Sequence, residues 1–128
     1  MTHESVSIIE DYYRALTARA PAQSFAEFFH LPVALIVGDR KITLNTNRDV
    51  ETVYDGLLSR YASEGVARIV WEPQATTVVE IYPGLVLAKT MPSRLTADDK
   101  LVKTWVCSYL MRELGGKWKC DLVTATPN

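Results

Sequence analysis

The stretch that decides the fold is KLVKTWVCSYLMRELGGKWKCDLVTA, from Lys100 to Ala125. Apolar and β-branched residues fill it on both sides of the Gly115-Gly116 pair, a pattern typical of two antiparallel strands joined by a tight turn. The first strand runs from Lys100 to Glu113 and the second from Lys117 to Ala125. We therefore predict a long C-terminal β-hairpin.

Alternation along a strand assigns the side chains of this hairpin to two faces. One face carries Leu101, Lys103, Trp105, Cys107, Tyr109, Met111, Trp118, Cys120 and Leu122, and the other carries Val102, Thr104, Val106, Ser108, Leu110, Lys119, Asp121 and Val123. Neither face is mainly charged, whereas a half-solvated sheet shows one clearly polar face. We expect helices to cover one face and a second copy of the chain to cover the other. The alternative is that loops of a curved sheet cover part of that face.

Helical patterns precede the hairpin. Apolar residues at i, i+3, i+4, i+7, i+8 and i+11 run from Val50 to Tyr61, between a cap at Thr46 or Asn47 and a stop at Gly65. A first helix, capped by Ser5 or Ser7, reaches about Ala20, and Pro21 breaks it. A short second helix starts at Ser24, carries Phe25, Phe28 and Phe29, and ends at Pro32.

Strand patterns occupy the rest of the chain. Val33–Val37 and Lys41–Asn45 predict a hairpin, Val66–Tyr82 is β-rich but interrupted by Pro73, and Leu85–Met91 is a further strand. The order α-α-β-β-α-β-β-β-β predicts an α+β cone, with three helices of the N-terminal half packed on a strongly curved mixed or antiparallel sheet. A chain of 128 residues is the size of one domain, spanning residues 1–128.

Composition excludes several classes of protein. The 14 Lys and Arg against 15 Asp and Glu give a net charge of −1, which argues against nucleic-acid binding. No apolar run is long enough to span a membrane, and the N-terminus does not resemble a secretory signal. Cys107 and Cys120 do not face each other in the predicted hairpin, so we expect free thiols and a cytoplasmic location. His3 and His30 lack partners at metal-ligand spacing, so we expect no metal and no cofactor.

The element order is similar to that of the nuclear transport factor 2-like superfamily, which includes ketosteroid isomerase, scytalone dehydratase and polyketide-cyclase-like proteins. Four segments carry the resemblance: Ile9–Leu16, Phe28–Pro32, Val50–Tyr61 and Gly115–Trp118. It implies a deep pocket between the helices and the concave sheet, and dimers formed through the outer sheet face. It does not specify function, because one fold hosts many activities.

The resemblance also implies positions for catalytic residues. Tyr12 falls where ketosteroid isomerase holds its substrate oxyanion with a tyrosine. The position of the general base matches near Val37, which cannot move a proton, and the position of the second aspartate matches near Ser108. Two of the three positions therefore depart from the isomerase pattern, which argues against steroid isomerisation by that mechanism.

Three residues are candidates for catalysis. Tyr12 could donate a hydrogen bond to an oxyanion, or it could be a core aromatic residue. His30 could act as a general base, or it could cap a helix. Asp121 could be a buried acid or base in the pocket, or it could pair with a basic neighbour on the outer face; the basic neighbours are Lys103, Lys119 and Arg112.

Four further residues are candidates for ligand binding: Phe28, Trp71, Arg94 and Ser108. Arg94 could hold a carboxylate at the mouth of the pocket, or it could be a surface arginine. Trp71 precedes the bulge expected at Pro73, and a bulge can direct a side chain towards a site; the alternative is that Trp71 is a core residue.

These residues predict a protein with an apolar pocket for a small organic molecule. If it is an enzyme, the chemistry is cofactor-free proton transfer, as in an isomerase, dehydratase or cyclase. The alternatives are a ligand-binding or association module without catalysis and a protein-interaction adaptor.

Overall fold

Two α-helices, two 3₁₀ segments and eight strands make up residues 3–128, the part of the chain that the structure, a computed structural model, describes. In chain order they are α1 (Glu4–Thr17), η1 (Ala22–Phe28), β1 (Phe29–Val37), β2 (Arg40–Leu44), α2 (Asn47–Glu64), β3 (Arg68–Val70), η2 (Pro73–Ala75), β4 (Thr77–Tyr82), β5 (Leu85–Thr90), β6 (Ser93–Leu95), β7 (Leu101–Leu114) and β8 (Lys117–Pro127).

The strands form one mixed sheet in the order β2-β1-β8-β7-β5-β4, with β6 also paired to β7 and β3 paired to β6. β1 runs parallel to β8, and the other pairs are antiparallel. α1 packs against β3, β5 and β8, and α2 against η1 and β2. The predicted α+β class, with three helical segments on a mixed sheet, is confirmed.

Several predicted boundaries are corrected. The second helix is the 3₁₀ segment η1, and Pro32 lies inside β1, which begins at Phe29. The β-rich stretch from Val66 to Tyr82 is divided by η2 into β3 and β4, because Pro73 begins a helical turn there. β6 is an additional short strand after Pro92.

The helix α2 has the ends that the sequence predicts. The Thr46 side chain accepts a hydrogen bond from the N–H of Asp49, and the Asp49 carboxylate accepts one from the N–H of Thr46. This reciprocal pair satisfies amide groups that have no partner within the helix. Gly65 ends the helix with φ +72°, a left-handed conformation that favours glycine.

The N-cap of α1 is His3 rather than Ser5 or Ser7. Nδ1 of His3 accepts a hydrogen bond from the N–H of Ser5 at 3.1 Å, and Ser5 itself is buried in the first turn. An imidazole nitrogen can therefore take the place of the hydroxyl oxygen that the sequence pattern favoured. The helix ends at Thr17, earlier than the predicted Ala20.

A β-bulge in β8 changes which side chains face inwards. Leu110 pairs with Leu122 and Met111 pairs with Cys120, so Asp121 is an extra residue. An extra residue in one strand reverses the alternation beyond it. The predicted faces are therefore correct from Trp105 to Cys120 but wrong for Leu122 and Val123. A second extra residue, Val102 in β7, reverses the prediction there too, since Val102 packs against the core and Leu101 is exposed. Val123 joins the inner face, which we define as the face of Cys107, Tyr109 and Met111, and Leu122 lies beside Leu110 on the outer face.

The hydrophobic core lies between the helices and the inner face. Ile9, Val33, Val50 and Met111 are among its fully buried members. Cys107 and Cys120 are both buried free thiols, opposite Ala125 and Met111 respectively. Within residues 3–128, no helix combines the length and the apolar character needed to cross a membrane.

Candidate functional site

A cavity of about 430 Å³, called the main cavity below, lies between α1, α2 and the inner face of the sheet. Its walls are mainly apolar and aromatic. They are formed by Tyr12, Tyr13, Leu16, Leu35, Val37, Arg40, Ile42, Thr52, Val53, Gly56, Leu57, Arg60, Tyr61, Ile69, Pro92, Arg94, Trp105, Cys107, Tyr109, Val123 and Ala125. Its volume and lining are typical of a site for a small organic ligand.

Tyr12 joins the cavity wall to the aromatic core. Its ring stacks on Phe28 with the ring centroids 4.4 Å apart, and its hydroxyl lies 2.7 Å from the hydroxyl of Tyr54. Tyr54 in turn stacks on Phe25 at 4.5 Å. The structure shows Tyr12 as a core aromatic residue with a satisfied hydroxyl, and the same residue forms part of the cavity wall.

A second group of hydroxyls surrounds Tyr13. Its hydroxyl lies 2.8 Å from that of Tyr109 and 2.7 Å from Oγ1 of Thr90. All three residues are buried, and they belong to α1, β7 and β5. These bonds fix the position of Tyr13 in the wall.

Arg94 lies between two aromatic rings of the wall. Its guanidinium carbon is 4.7 Å from the ring centroid of Tyr61 and 4.8 Å from the ring of Trp105, so cation–π attraction holds it on both. Arg94 is half-buried, whereas Arg40 and Arg60, which also line the cavity, are exposed at its mouth. Nε1 of Trp105 is buried and has no acceptor among residues 3–128.

Burial controls the protonation of the other titratable groups in the wall. It raises the pKa of Tyr12, Tyr13, Tyr61 and Tyr109 above the ordinary tyrosine value. It also raises the pKa of the Cys107 thiol to about 11. These groups are therefore neutral near pH 7, since burial in an apolar environment disfavours the charged form.

Within residues 3–128, the wall of the main cavity contains no carboxylate and no imidazole. The same residues contain no cluster of three or more His, Cys, Asp or Glu side chains that could hold a metal ion. The chemistry that the wall offers is therefore hydrogen-bond donation and positive charge.

His30 does not line the main cavity. It is the second residue of β1, and its Nε2 lies 3.2 Å from the backbone carbonyl oxygen of Arg112 in β7. The imidazole thus satisfies a carbonyl in the sheet, away from Tyr12. The structure does not bring the three candidate catalytic residues together.

Asp121 lies on the outer face, in the bulge of β8, and pairs with Arg112. Oδ2 lies 2.6 Å from Nε of Arg112, and Oδ1 accepts a hydrogen bond from Nη2 at 3.2 Å. Of the alternatives that the sequence left open, the structure shows the ion pair with Arg112.

The other candidate ligand-binding residues are dispersed. Phe28 is buried behind Tyr12, and Ser108 lies on the outer face, opposite Thr124. Trp71 contacts Tyr13 with centroids 5.0 Å apart and lines a separate cavity of about 380 Å³ beside η2. Of the seven candidates, Tyr12 and Arg94 line the main cavity.

Sequence reasoning missed several residues of the wall. Arg60 lies three residues after Leu57 on α2, so it borders the apolar stripe of that helix, a signal that the sequence carries. Arg40 follows the Gly38-Asp39 turn, and no local pattern indicates that the turn brings it to the cavity. Cys107 was assigned to the inner face but was not recognised as part of a site.

Helices over the inner face of a mixed sheet, with a ligand-sized cavity between them, define an α+β fold of the cystatin-like class. The chain belongs to the NTF2-like family: the family model described as NTF2-like protein (DUF6841) matches residues 3–128. This confirms the resemblance found in the sequence. No curated protein matches the chain in sequence.

Solved structures share the fold at low sequence identity. A protein of unknown function with a cystatin-like fold from Nostoc punctiforme is 11% identical, with a TM-score of 0.75 over 95% of this chain and 86% of that one. A candidate ketosteroid isomerase from Parabacteroides distasonis is 15% identical, with a TM-score of 0.68 over 94% and 85%. A candidate calcium/calmodulin-dependent protein kinase II association domain from Xanthomonas campestris is 12% identical, with a TM-score of 0.69 over 96% and 85%. Identities this low establish the fold and not the activity.

Proposed function

We propose that the protein binds a small organic molecule in the main cavity. The observation that carries the proposal is the wall itself: about 430 Å³ of space, enclosed mainly by apolar and aromatic side chains, with a few polar groups at defined positions. Sites of this kind bury most of the surface of a ligand and orient it through those polar groups.

Binding without catalysis is the function that this wall supports best. A proton-transfer enzyme needs a group that accepts a proton near pH 7. His30 and Asp121 make their contacts elsewhere, and the hydroxyls of Tyr12 and Tyr13 have raised pKa values and neutral partners. The cavity can hold and polarise a molecule, but it offers no general base among residues 3–128.

A cofactor-free isomerase, dehydratase or cyclase is the second candidate. The paired hydroxyls of Tyr12 with Tyr54 and of Tyr13 with Tyr109 favour it, because buried phenols stabilise a developing oxyanion. The candidate isomerase from Parabacteroides distasonis has the same fold. In this case the ligand or a water molecule would have to supply the base.

The test is binding of the neutral fluorescent probe N-phenyl-1-naphthylamine. We expect its emission to rise with a saturable, one-site dependence on protein concentration. Ala125→Trp adds an indole to the cavity wall and should abolish the rise, and Gly56→Trp should do the same from the side of α2. Leu101→Trp, at an exposed position outside the cavity, is the matched control. Equal binding by all four proteins would contradict the proposal.

We also propose that a second copy of the chain covers the outer face. Side chains of α1 and α2 line the cavity on the inner face, and a row of directly paired residues crosses five strands of the outer face. The row consists of Ala34, Leu122, Leu110, Leu87 and Val79. Near it, Ile81 and Tyr82 are 52% and 56% exposed. A contiguous apolar surface of this kind is typical of an interface.

The oligomeric state tests this second proposal. We expect sedimentation equilibrium to give twice the 14.4 kDa chain mass. The variant Leu87→Lys should shift the protein to monomer, because it would bury an unpaired charge in an apolar interface. Leu101→Lys is the control, since Leu101 is 62% exposed but lies outside the row. A monomeric wild type would overturn the proposal.

A further inference from the structure

We propose that the ligand of the main cavity is an organic carboxylate with an apolar or aromatic body, and that Arg94 holds its charged end. This inference rests on the proposed function and names the class of ligand. The distribution of charged side chains around the cavity supports this inference.

The cavity wall is electrostatically one-sided. Three arginines line it, Arg40, Arg60 and Arg94, and no aspartate or glutamate does so among residues 3–128. The whole chain has a net charge of −1, so the excess of positive charge belongs to the cavity and not to the composition. A concave surface lined by one sign of charge attracts ligands of the opposite sign.

These three arginines also lack counter-ions. Elsewhere in residues 3–128, Arg14, Arg68 and Arg112 pair with carboxylates. Among these residues none of the arginines of the cavity does so, and neither do Arg19 and Arg48, although acidic side chains are as numerous as basic ones. Their guanidinium groups are available to an anion that enters from solvent.

Arg94 is the arginine that is best placed to select a carboxylate. It is half-buried, and the rings of Tyr61 and Trp105 fix its guanidinium group at 4.7 and 4.8 Å. A guanidinium group held in one orientation loses little entropy when its planar fork binds a planar carboxylate through two hydrogen bonds. Arg40 and Arg60, which are exposed, would attract the anion to the mouth.

The remaining wall fits the body of such a ligand. Aliphatic side chains and the faces of aromatic residues form most of it, among them Leu35, Ile42, Leu57, Val123 and Tyr12. Burial keeps the tyrosines of the wall neutral near pH 7, so that nothing in it repels an anion. A body of one or two rings has the right size for about 430 Å³.

The test compares 2-naphthoate with 2-naphthamide, which have nearly the same shape and differ in charge. Each is titrated against protein that holds N-phenyl-1-naphthylamine, and displacement of the probe gives the affinity. We expect the naphthoate to bind at least about tenfold more tightly, which is the effect of charge-assisted hydrogen bonds to a guanidinium group. Its affinity should fall as salt is added, while that of the amide should not.

Variants test whether Arg94 is the residue responsible for the preference for naphthoate. Arg94→Gln should weaken naphthoate binding about tenfold more than it weakens binding of the amide or of the neutral probe. Arg68→Gln makes the same change in net charge outside the cavity and should leave all three ligands unchanged. Arg94→Lys, which keeps the charge but loses the fork, should fall between wild type and Arg94→Gln. Far-UV circular dichroism shows that each variant is folded.

Each outcome decides a separate claim. Equal affinities for naphthoate and naphthamide would overturn the inference and leave the cavity as a binding site. Equal losses in Arg94→Gln and Arg68→Gln would overturn the role of Arg94. If the neutral probe does not bind to the wild type, the proposed function fails together with the inference.

Discussion

The hydroxyl of Tyr13 lies 2.8 Å from the hydroxyl of Tyr109, joining α1 to β7 in the interior of the protein. Oγ1 of Thr90, in β5, lies 2.7 Å from the same Tyr13 oxygen. Three hydroxyls from distant parts of the chain are thus satisfied by one another. This arrangement anchors the first helix on the sheet and shapes the wall of the main cavity.

Tyr13→Phe should lower the free energy of unfolding by about 1–3 kcal/mol, because it leaves the Tyr109 and Thr90 hydroxyls buried without this partner. Urea denaturation followed by far-UV circular dichroism measures the change. Tyr82→Phe is the control, since Tyr82 is exposed, and its effect should stay within about 0.5 kcal/mol. Equal effects of the two substitutions would contradict this account.

Two glycines of α2 should respond in opposite directions to alanine. Gly56 lies inside the helix with open space around the position of an added Cβ, so Gly56→Ala should stabilise the protein by up to about 1 kcal/mol. Gly65 has φ +72°, and Gly65→Ala should destabilise it by about 1 kcal/mol. Chemical denaturation of Gly56→Ala and Gly65→Ala measures the two free energies of unfolding. Changes of the same sign in the two variants would be inconsistent with the structure.

The Asp49 carboxylate should make stability depend on pH in the acidic range. Hydrogen bonds from the N–H groups of Asn45 and Thr46 lower its pKa in the folded state. The pKa of Asp49 is therefore lower in the folded state than in the unfolded state, where it is about 3.9. The carboxylate stabilises the fold above the unfolded pKa, and this stabilisation is lost as the pH falls through the folded pKa. The Tm difference between wild type and Asp49→Asn should therefore be present at neutral pH and shrink in acid. A difference that grows in acid would show the opposite sign.

Asp121 should contribute modestly to stability and nothing to binding in the cavity. Its side chain is 21% exposed and that of Arg112 41% exposed, so solvent screens the pair and Asp121→Asn should cost about 1 kcal/mol or less. A double-mutant cycle with Arg112→Gln isolates the coupling energy. Titration with N-phenyl-1-naphthylamine should give the wild-type affinity, and a weakened affinity would place Asp121 in the site after all.

The two thiols should differ in reactivity. Burial raises the pKa of Cys107 to about 11, so its alkylation by iodoacetamide should be slow at pH 7 and accelerate about tenfold per pH unit towards pH 9. Cys107 lines the cavity, whereas Cys120 is fully buried elsewhere, so Cys107 should react first. Peptide mapping by mass spectrometry assigns the sites, with urea-unfolded protein as control. Faster labelling of Cys120 would contradict the assignment of the cavity wall.

Local patterns in the sequence determined much of the fold. The helix between Thr46 and Gly65 could be predicted in full, because its cap, its apolar spacing and its stop are all contained in that segment. The Gly115-Gly116 turn likewise determined the pairing of β7 with β8 near the turn. Hydrogen bonds and alternation between residues close in the chain depend on local geometry alone.

The candidate site depended more on tertiary structure. The sequence placed Tyr12 and Arg94 among the candidates, and both line the cavity. The sequence also indicated His30 and Asp121 as candidates. Both of these residues contact Arg112, which lies on a different strand, β7. Single residues of the right chemical type can be recognised in a sequence, but the neighbours that give them a role cannot.

What the sequence by itself determined is the order of the helices and the long strands, the α+β class and the membership of the NTF2-like family. The tertiary structure alone decided that the bulge at Asp121 turns Val123 towards the cavity, and that Arg40, Arg60 and Arg94 line the same space. The physical reason is the separation along the chain between the residues that make each kind of contact. Periodicity, caps and turns arise from contacts within a few residues, whereas a strand register shift and a cavity wall arise from packing between segments that are distant in the chain.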